Sequence, residues 1–221
     1  MHPLSIFALK ILKNEILTMT IKTIIFDLGG VLIDWNPEYV FNKLIPDEQK
    51  RAFFFQNVCT HEWNVEHDAG RPIAEGTALK IAEFPEWETE IRAYYGRWTE
   101  MLGGALNDTV DLLKELIDHP EYRVLALTNW SAETFPIALG IFDFLHWFEG
   151  IVVSGNERTR KPFPKIYDTL LERYDVSASE AVFIDDSLTN VKGAEAVGIR
   201  GIHFQSAGQL RSALKHYGVA I

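Results

Sequence analysis

The chain has 221 residues, of which 47% are hydrophobic and 24% are charged, a balance typical of a globular protein with one or two domains. Its formal net charge of −10 disfavours a nucleic acid as partner, because binding many backbone phosphates requires clustered Lys and Arg. Cys59 is the only cysteine, which excludes an intrachain disulfide and a thiolate metal cluster and makes the cytoplasm the expected location.

Residues 1–18 form an apolar stretch that ends just before the first predicted strand. Lys10 and Lys13 interrupt its apolar run, which is far shorter than the ~20 residues that a membrane-spanning helix needs. No small-residue cleavage site follows, so a secretory signal is not indicated. We interpret residues 1–18 as an N-terminal extension and predict no membrane partner, while the sequence leaves the oligomeric state open.

The first predicted strand ends on a carboxylate that is followed by a glycine-rich turn. Residues 24–26 are continuously apolar, as in a strand covered on both faces, and Asp27 follows them two residues before Gly29 and Gly30. Open α/β sheets bind ligands at this end of a strand, and a desolvated carboxylate there needs a metal ion or a basic side chain nearby. An Asp that merely caps a tight bend is the alternative interpretation of this stretch.

Residues 37–102 have a different pattern from the rest of the chain. They are rich in aromatic residues, are broken by several prolines and glycines, and lack the alternation typical of strands. We predict an all-helical insert, called the cap below, whose aromatic side chains mostly pack between helices. A polar group in it, formed by His61, Glu62, Glu66, His67 and Asp68, is interpreted as a solvated face from which some members can reach a site below.

From the predicted hinge at Gly103 and Gly104 onward, helices and strands alternate, which is typical of an α/β fold with a parallel sheet. Three further buried strands each end at polar groups, which are Thr128 with Asn129, Lys161 in a basic turn, and Asp185 with Asp186. Right-handed crossovers place the carboxyl ends of parallel strands at one edge, so these groups should meet Asp27. The predicted architecture is a three-layer doubly wound parallel sheet in residues 19–36 and 103–221, with the all-helical cap inserted at 37–102.

The chemistry of this set indicates phosphoryl transfer. Converging carboxylates repel one another unless a divalent cation joins them, and oxygen ligands of this kind suit Mg²⁺. Lys161 and the hydroxyl of Thr128 can hold an oxyanion whose remaining charge the metal shares. Together these residues are the groups that phosphoryl transfer to a carboxylate nucleophile requires.

These residues resemble, in the same order, the four motifs of the haloacid dehalogenase superfamily of hydrolases, in its phosphatase branch with a small helical, C1-type cap. The matching segments are Asp27-Leu28-Gly29-Gly30-Val31-Leu32, Thr128 with Asn129, Lys161 with Pro162, and Asp185-Asp186-Ser187 extended by Asn190. The resemblance spans about residues 20–205 and implies the Rossmann-like core of that family.

By this resemblance the protein is a Mg²⁺-dependent hydrolase of a small phosphorylated metabolite, such as a sugar phosphate, acting through an aspartyl-phosphate on Asp27. The implied catalytic residues are Asp27, Thr128 and Lys161; the implied substrate-binding residues are Gly29, Gly30, Thr128, Asn129 and Lys161; and the implied metal ligands are Asp27, the carbonyl of Gly29, Asp185 and Asp186. Two alternatives remain, namely a metal-independent 2-haloacid dehalogenase, which the acidic pair disfavours, and a non-catalytic phosphate-binding or regulatory protein with the same fold.

One departure from the family pattern bears on the substrate. Many members carry a second Asp at the position of Gly29, where it protonates the leaving group and then deprotonates water, a contribution of ~10² to 10⁴ in rate. Its absence predicts a preference for stabilised leaving groups, as in aryl phosphates or anomeric sugar 1-phosphates, and glucose-1-phosphatase-like members begin with a similar Asp-Leu-Gly. The competing hypothesis is a substitute acid, such as Asp34, His61 or Glu66.

Overall fold

The computed structural model describes residues 20–221, so the N-terminal extension predicted at 1–18 lies outside the described residues. Within these residues, the seven strands are β1 (Thr23–Phe26), β2 (Ile33–Trp35), β3 (Leu102–Ala105), β4 (Arg123–Thr128), β5 (Gly150–Val153), β6 (Ala181–Asp185) and β7 (Arg200–His203). Five of them form a parallel sheet in the order β5-β4-β1-β6-β7, which places β1 at its centre. In this part of the chain, the helices are all too short or too polar to cross a membrane.

Successive residues of β1 point to opposite faces of the sheet, and each face carries its own layer of helices. Ile24 and Phe26 belong to one hydrophobic cluster, and Ile25 belongs to the other. Helices Asn107–Asp118 and Ala207–His216 contribute to the first cluster, and helices Pro164–Arg173 and Leu188–Ala196 contribute to the second. The prediction of three layers around a doubly wound parallel sheet is therefore confirmed. Shorter helices at Phe135–Leu139 and Ser154–Glu157 follow β4 and β5.

The segment between β2 and β3 is helical, as predicted for the cap. Its α-helices are Glu38–Leu44, Glu48–Phe53, His61–Asp68, Ile73–Glu83 and Glu88–Gly96, joined by a π-helix at Phe54–Val58 and 3₁₀ segments at Pro85–Trp87 and Trp98–Met101. Aromatic side chains pack between these helices, with ring centroids 4.8 Å apart for Phe41 and Phe54 and 5.1 Å apart for Trp63 and Tyr94. The bounds of 37–102 for the cap remain our proposal for how the chain divides.

The predicted hinge at Gly103 and Gly104 lies within a strand. β3 pairs antiparallel with β2, and this ribbon joins the cap to the sheet. Gly104 has a φ of 117°, which favours glycine, and a Cβ atom on Gly103 would displace the side chain of Asp34, whose Oδ2 would lie 2.1 Å away. The sequence pattern missed β3 because glycine is depleted in strands and usually marks a turn.

Candidate active site

The site forms where β1, β4 and β6 end, around the carboxylate of Asp27. This side chain is 7% exposed, and its Oδ1 accepts a hydrogen bond of 2.7 Å from the backbone N–H of Leu28. Asp27, Asp185 and Asp186 each place a carboxylate oxygen within 4.8 Å of the others. The predicted convergence of carboxylates from two neighbouring strands is therefore what the parallel register of β1 and β6 produces.

Lys161 connects the carboxylates of the two strands. Its Nζ lies 2.9 Å from Oδ1 of Asp27 and 2.6 Å from Oδ2 of Asp185, and its side chain is completely buried. Burial by itself would lower the pKa of Lys161, but Asp185 and Asp27 raise it above its usual value. The site therefore contains a permanent ammonium ion, which limits the repulsion between the two acidic groups.

The charge balance around Asp27 favours an additional cation. Burial raises the pKa of Asp27 to about 8, because Asp185 and Asp186 add to the effect while Lys161 only partly opposes it. A divalent ion near these carboxylates would stabilise the ionised form that a nucleophile requires.

The turn after Asp27 leaves space for the third carboxylate. A Cβ atom on Gly30 would lie 2.3 Å from Oδ2 of Asp186, and the φ of Gly30 is 71°. Only glycine combines this backbone conformation with so close an approach. Three carboxylates with hard oxygen donors, one of them exposed, are a donor set that fits Mg²⁺. Asp27, Asp185, Asp186 and the carbonyl of Gly29 are the groups that could hold the ion.

Hydrogen bonds fix the residues that flank the carboxylates. Oδ1 of Asp185 accepts from the backbone N–H of Ser187 at 2.7 Å and from Nδ2 of Asn190 at 3.1 Å. Asn129 holds the backbone of Lys161, since its Oδ1 accepts from the N–H at 2.9 Å and its Nδ2 donates to the carbonyl at 3.1 Å. The amide of Asn129 therefore positions Lys161, a role that the spacing of the sequence did not reveal.

A cavity of about 470 Å³, called the site cavity, opens above Asp27 between sheet edge and cap. Its lining includes six of the predicted site residues, namely Asp27, Gly29, Gly30, Asn129, Lys161 and Asp186. Asp185 lies behind them against Lys161. Thr128 ends β4, is 1% exposed and, within residues 20–221, is not part of this lining.

A smaller recess of about 90 Å³ adjoins the site cavity, and aromatic side chains form much of its wall. Trp35, Tyr95, Trp98 and Trp130 line this aromatic recess, which shares Gly29, Asn64, Asp68 and Asn129 with the site cavity. A Cβ atom on Gly29 would meet no described atom within 4 Å, so the space above this glycine is open. Gly29, the position without an acid, therefore lines both the site cavity and the recess.

The cap residues near the cavity differ from the sequence prediction. His67 is fully buried, so its assignment to a solvated face is wrong, while Asp68 and His61 line the site cavity. Of the other acids considered as substitutes, Asp34 accepts a hydrogen bond of 2.6 Å from Tyr39, and Glu66 pairs with Arg71 at 3.2 Å. Neither contributes to the cavity lining in the described part of the chain. No local pattern distinguishes Asp68, because its place depends on how the cap docks.

Comparisons with known proteins agree with this geometry. A family model described as haloacid dehalogenase-like hydrolase matches residues 21–198. The chain is 31% identical over 185 residues to the sesquiterpene phosphatase astK of Aspergillus oryzae, a match that covers 83% of this chain and 90% of that protein. It is 27% identical over 188 residues to a phosphoglycolate phosphatase of Vibrio cholerae, with coverages of 81% and 82%.

A solved structure shares the fold and holds ligands that are relevant to this site. It is the HAD family enzyme bt-2542 of Bacteroides thetaiotaomicron, wild-type protein, in complex with magnesium and inorganic phosphate. The TM-score is 0.65 at 25% identity, and the match covers 84% of this chain and 95% of that one. The chain therefore belongs to the haloacid dehalogenase-like hydrolases and is an enzyme of their phosphatase branch.

Proposed function

We propose that the protein is a Mg²⁺-dependent phosphomonoesterase that hydrolyses a small phosphorylated metabolite through an aspartyl-phosphate on Asp27. One observation carries the proposal, namely that Asp27 ends the central strand at the cavity floor, 2.9 Å from a buried ammonium and beside two further carboxylates. A non-catalytic phosphate-binding protein would not need a buried carboxylate there, because that charge repels a phosphate.

The contacts of Asp27 distinguish its two carboxylate oxygens. The Leu28 N–H and Lys161 both contact Oδ1, so we assign the attack on phosphorus to Oδ2. The attack forms an O–P bond and breaks the ester P–O bond, whose electron pair leaves with the alcohol oxygen. Water then cleaves the acyl phosphate, which releases inorganic phosphate and restores the carboxylate.

Positive charge is needed for the transferring oxygens as well as for the nucleophile. Lys161, whose backbone is held by Asn129, lines the site cavity, and we assign its ammonium to the oxygens of the phosphoryl group. We assign the backbone N–H groups around Gly29 and Gly30 to the same oxygens, and Thr128 to the second oxyanion contact. A bound Mg²⁺ would neutralise the charge that develops on these oxygens and align the phosphate with Asp27.

The aromatic recess supports a substrate with a ring-shaped or otherwise planar or CH-rich leaving group. Gly29 lines the recess together with Trp35, Trp98 and Trp130, whose ring faces bind such groups well. Aryl phosphates and anomeric sugar 1-phosphates meet this description. An apolar terpenoid phosphate, the substrate class named for the relative astK, is a third candidate for the assay.

The proposal is tested with a panel of these phosphates, assayed for phosphate release with Mg²⁺ and with EDTA. We expect activity only with Mg²⁺, and we expect Asp27→Asn to lower it at least 10³-fold while phosphate binding persists. Asp47→Asn is the matched control, since Asp47 accepts a hydrogen bond from Lys50 N–H at the start of a cap helix, and Asn fills that role equally well. A turnover rate for Asp27→Asn equal to that of wild type would refute the assignment of Asp27 as the nucleophile.

The haloacid dehalogenase alternative is tested in the same preparation. A 2-haloacid carries a carboxylate, which would lie close to Asp27, Asp185 and Asp186 and be repelled by them. We expect no halide release from 2-chloropropionate with or without Mg²⁺. Metal-independent halide release would favour this alternative over the phosphatase.

A further inference from the structure

We propose that Asp68, which comes from the cap, is the general acid and base that the first motif lacks at Gly29. The inference rests on the proposed phosphomonoesterase function and adds a catalytic residue to it. Hydrolysis through Asp27 requires a proton for the leaving oxygen and later the removal of a proton from water. A side chain that performs both steps must reach the space above Gly29, where no described atom lies within 4 Å of a Cβ position.

Asp68 is a carboxylate of the cap that shares a cavity with Gly29. It is the last residue of helix His61–Asp68 and lines the site cavity together with Asp27 and Gly29. It also lines the aromatic recess, which is where the leaving group is proposed to lie. Among the described residues that line the site cavity, only Asp27, Asp68 and Asp186 carry a carboxyl group, and Asp68 is the one outside the metal cluster.

The core, rather than the cap alone, holds Asp68 in place. Its backbone carbonyl accepts a hydrogen bond of 2.5 Å from Oγ of Ser154, and this Oγ in turn accepts from the Trp130 N–H at 2.9 Å. The chain then turns at Gly70, whose φ is 96° and where a Cβ atom would lie 2.9 Å from the carbonyl oxygen of Gly155. The end of this cap helix is therefore fixed against the residues that follow β4 and β5.

The surroundings of Asp68 keep its carboxyl group able to donate a proton. Burial raises the pKa of Asp68 to about 7, although Arg160, Lys161 and a hydrogen bond from the Ser131 backbone lower it. Tyr94 and Tyr95 face the same carboxyl group from helix Glu88–Gly96, and His61 lies on its own helix. An acid whose pKa lies near the working pH can both donate and accept a proton.

Asp68 gives up one proton in the first step and recovers it in the second. As Asp27 attacks phosphorus, the ester P–O bond breaks and its electron pair goes to the leaving oxygen, which takes the Asp68 proton and departs as the alcohol. The resulting Asp68 carboxylate then takes a proton from water as the water oxygen attacks the phosphorus of the aspartyl-phosphate. The products are inorganic phosphate, ionised Asp27 and protonated Asp68, so the enzyme returns to its initial state.

The test uses Asp68→Asn and three phosphate esters that each carry one benzene ring, so that packing in the aromatic recess stays similar while the leaving-group pKa changes. The substrates are 4-nitrophenyl phosphate, phenyl phosphate and benzyl phosphate, assayed with Mg²⁺. Nitrophenolate leaves without a proton, whereas the benzyl alkoxide needs one. We expect Asp68→Asn to lower turnover of benzyl phosphate by ~10² to 10⁴.

The first turnover of 4-nitrophenyl phosphate should stay within about fivefold of wild type, because that step needs no acid. Later turnovers should slow, because water has lost its base, so we expect a burst of nitrophenol close to one per site. Glu62→Gln is the matched control, an exposed carboxyl group on the same helix, and should resemble wild type on all three esters.

A merely structural role for Asp68 would lower the rates on all three esters by the same factor, without a burst. That result would overturn the assignment, and so would unchanged rates in Asp68→Asn together with a steeper leaving-group dependence in His61→Asn. If the proposed phosphomonoesterase function itself is wrong, the experiment gives a different result. In that case wild-type protein releases no phosphate with Mg²⁺, or Asp27→Asn remains active.

Discussion

Replacing Lys161 with methionine should destabilise the protein in the absence of metal, because it removes a cation from the centre of a buried acidic cluster. The ammonium lies 2.9 Å from Asp27 and 2.6 Å from Asp185, and both Lys161 and Asp185 are fully buried. Loss of one partner from a buried pair costs about 3–5 kcal/mol, since the other charge stays desolvated. Asp185 keeps its hydrogen bonds from Ser187 and Asn190, so we expect a loss of about 3–4 kcal/mol in the free energy of unfolding.

Urea denaturation in EDTA measures this loss as a shift of the midpoint at constant slope. Lys165→Met is the matched control, because Lys165 is exposed on the following helix, and its midpoint should equal that of wild type. Adding Asp185→Asn to Lys161→Met should recover part of the lost stability, because the orphaned charge is then gone. We expect Mg²⁺ to recover part of it as well, because an ion bound to the carboxylates would stabilise the folded state.

A midpoint for Lys161→Met that equals that of Lys165→Met would refute the reasoning, since it would mean that the three carboxylates need no cation. A loss that Asp185→Asn does not relieve would contradict it as well. In that case the methionine would act through packing against Phe183, whose ring centroid lies 5.3 Å from Nζ, rather than through charge.

Three further predictions concern the residues around this cluster. Asn129→Ala should lower kcat at least tenfold and the free energy of unfolding by about 1–3 kcal/mol, because the backbone N–H and carbonyl of Lys161 both lose their partner. Steady-state kinetics and urea denaturation measure the two effects. Gly30→Ala should lower the free energy of unfolding by more than about 1 kcal/mol, because alanine is strained at a positive φ and its Cβ would displace Asp186. Gly208→Ala is the control and should not destabilise the protein, because Gly208 lies in open space on a helix. Asp186→Asn should raise the Mg²⁺ concentration for half-maximal activity at least tenfold, and an unchanged value in a metal titration would remove Asp186 from the ligand set.

The central sheet and most of the site could be predicted from the sequence because their determinants are local. Each parallel strand is a short apolar run, and the residue after the run necessarily lies at the carboxyl edge of the sheet. Asp27 and the Asp185–Asp186 pair follow such runs, and they meet because β1 and β6 are neighbours in the sheet. Lys161 follows β5 only after helix Ser154–Glu157, so its contact with Asp27 is decided by the fold. Gly30 was predictable only as a turn residue, and its close approach to Asp186 became visible in three dimensions.

Features of the cap could not be predicted from the local sequence pattern. The polar residues at 61–68 were predicted to form a solvated face from which some members reach the site. His67 is buried instead, and only the folded structure shows that Asp68 and His61 are the members that line the cavity. Strand β3 likewise escaped prediction, because its partner strand β2 lies some 70 residues away along the chain and β3 itself is rich in glycine.

The amino-acid sequence by itself thus determined the chemistry of the phosphate site, since strand ends and motif spacing are properties of short segments. The tertiary structure alone decided which cap residues face that site. The docking of helix His61–Asp68 depends on contacts such as that between Ser154 and Asp68, 86 positions apart, and on the close packing of Gly70 against Gly155. No periodicity within a single helix encodes contacts of this kind, because they depend on surfaces that meet only in the folded chain.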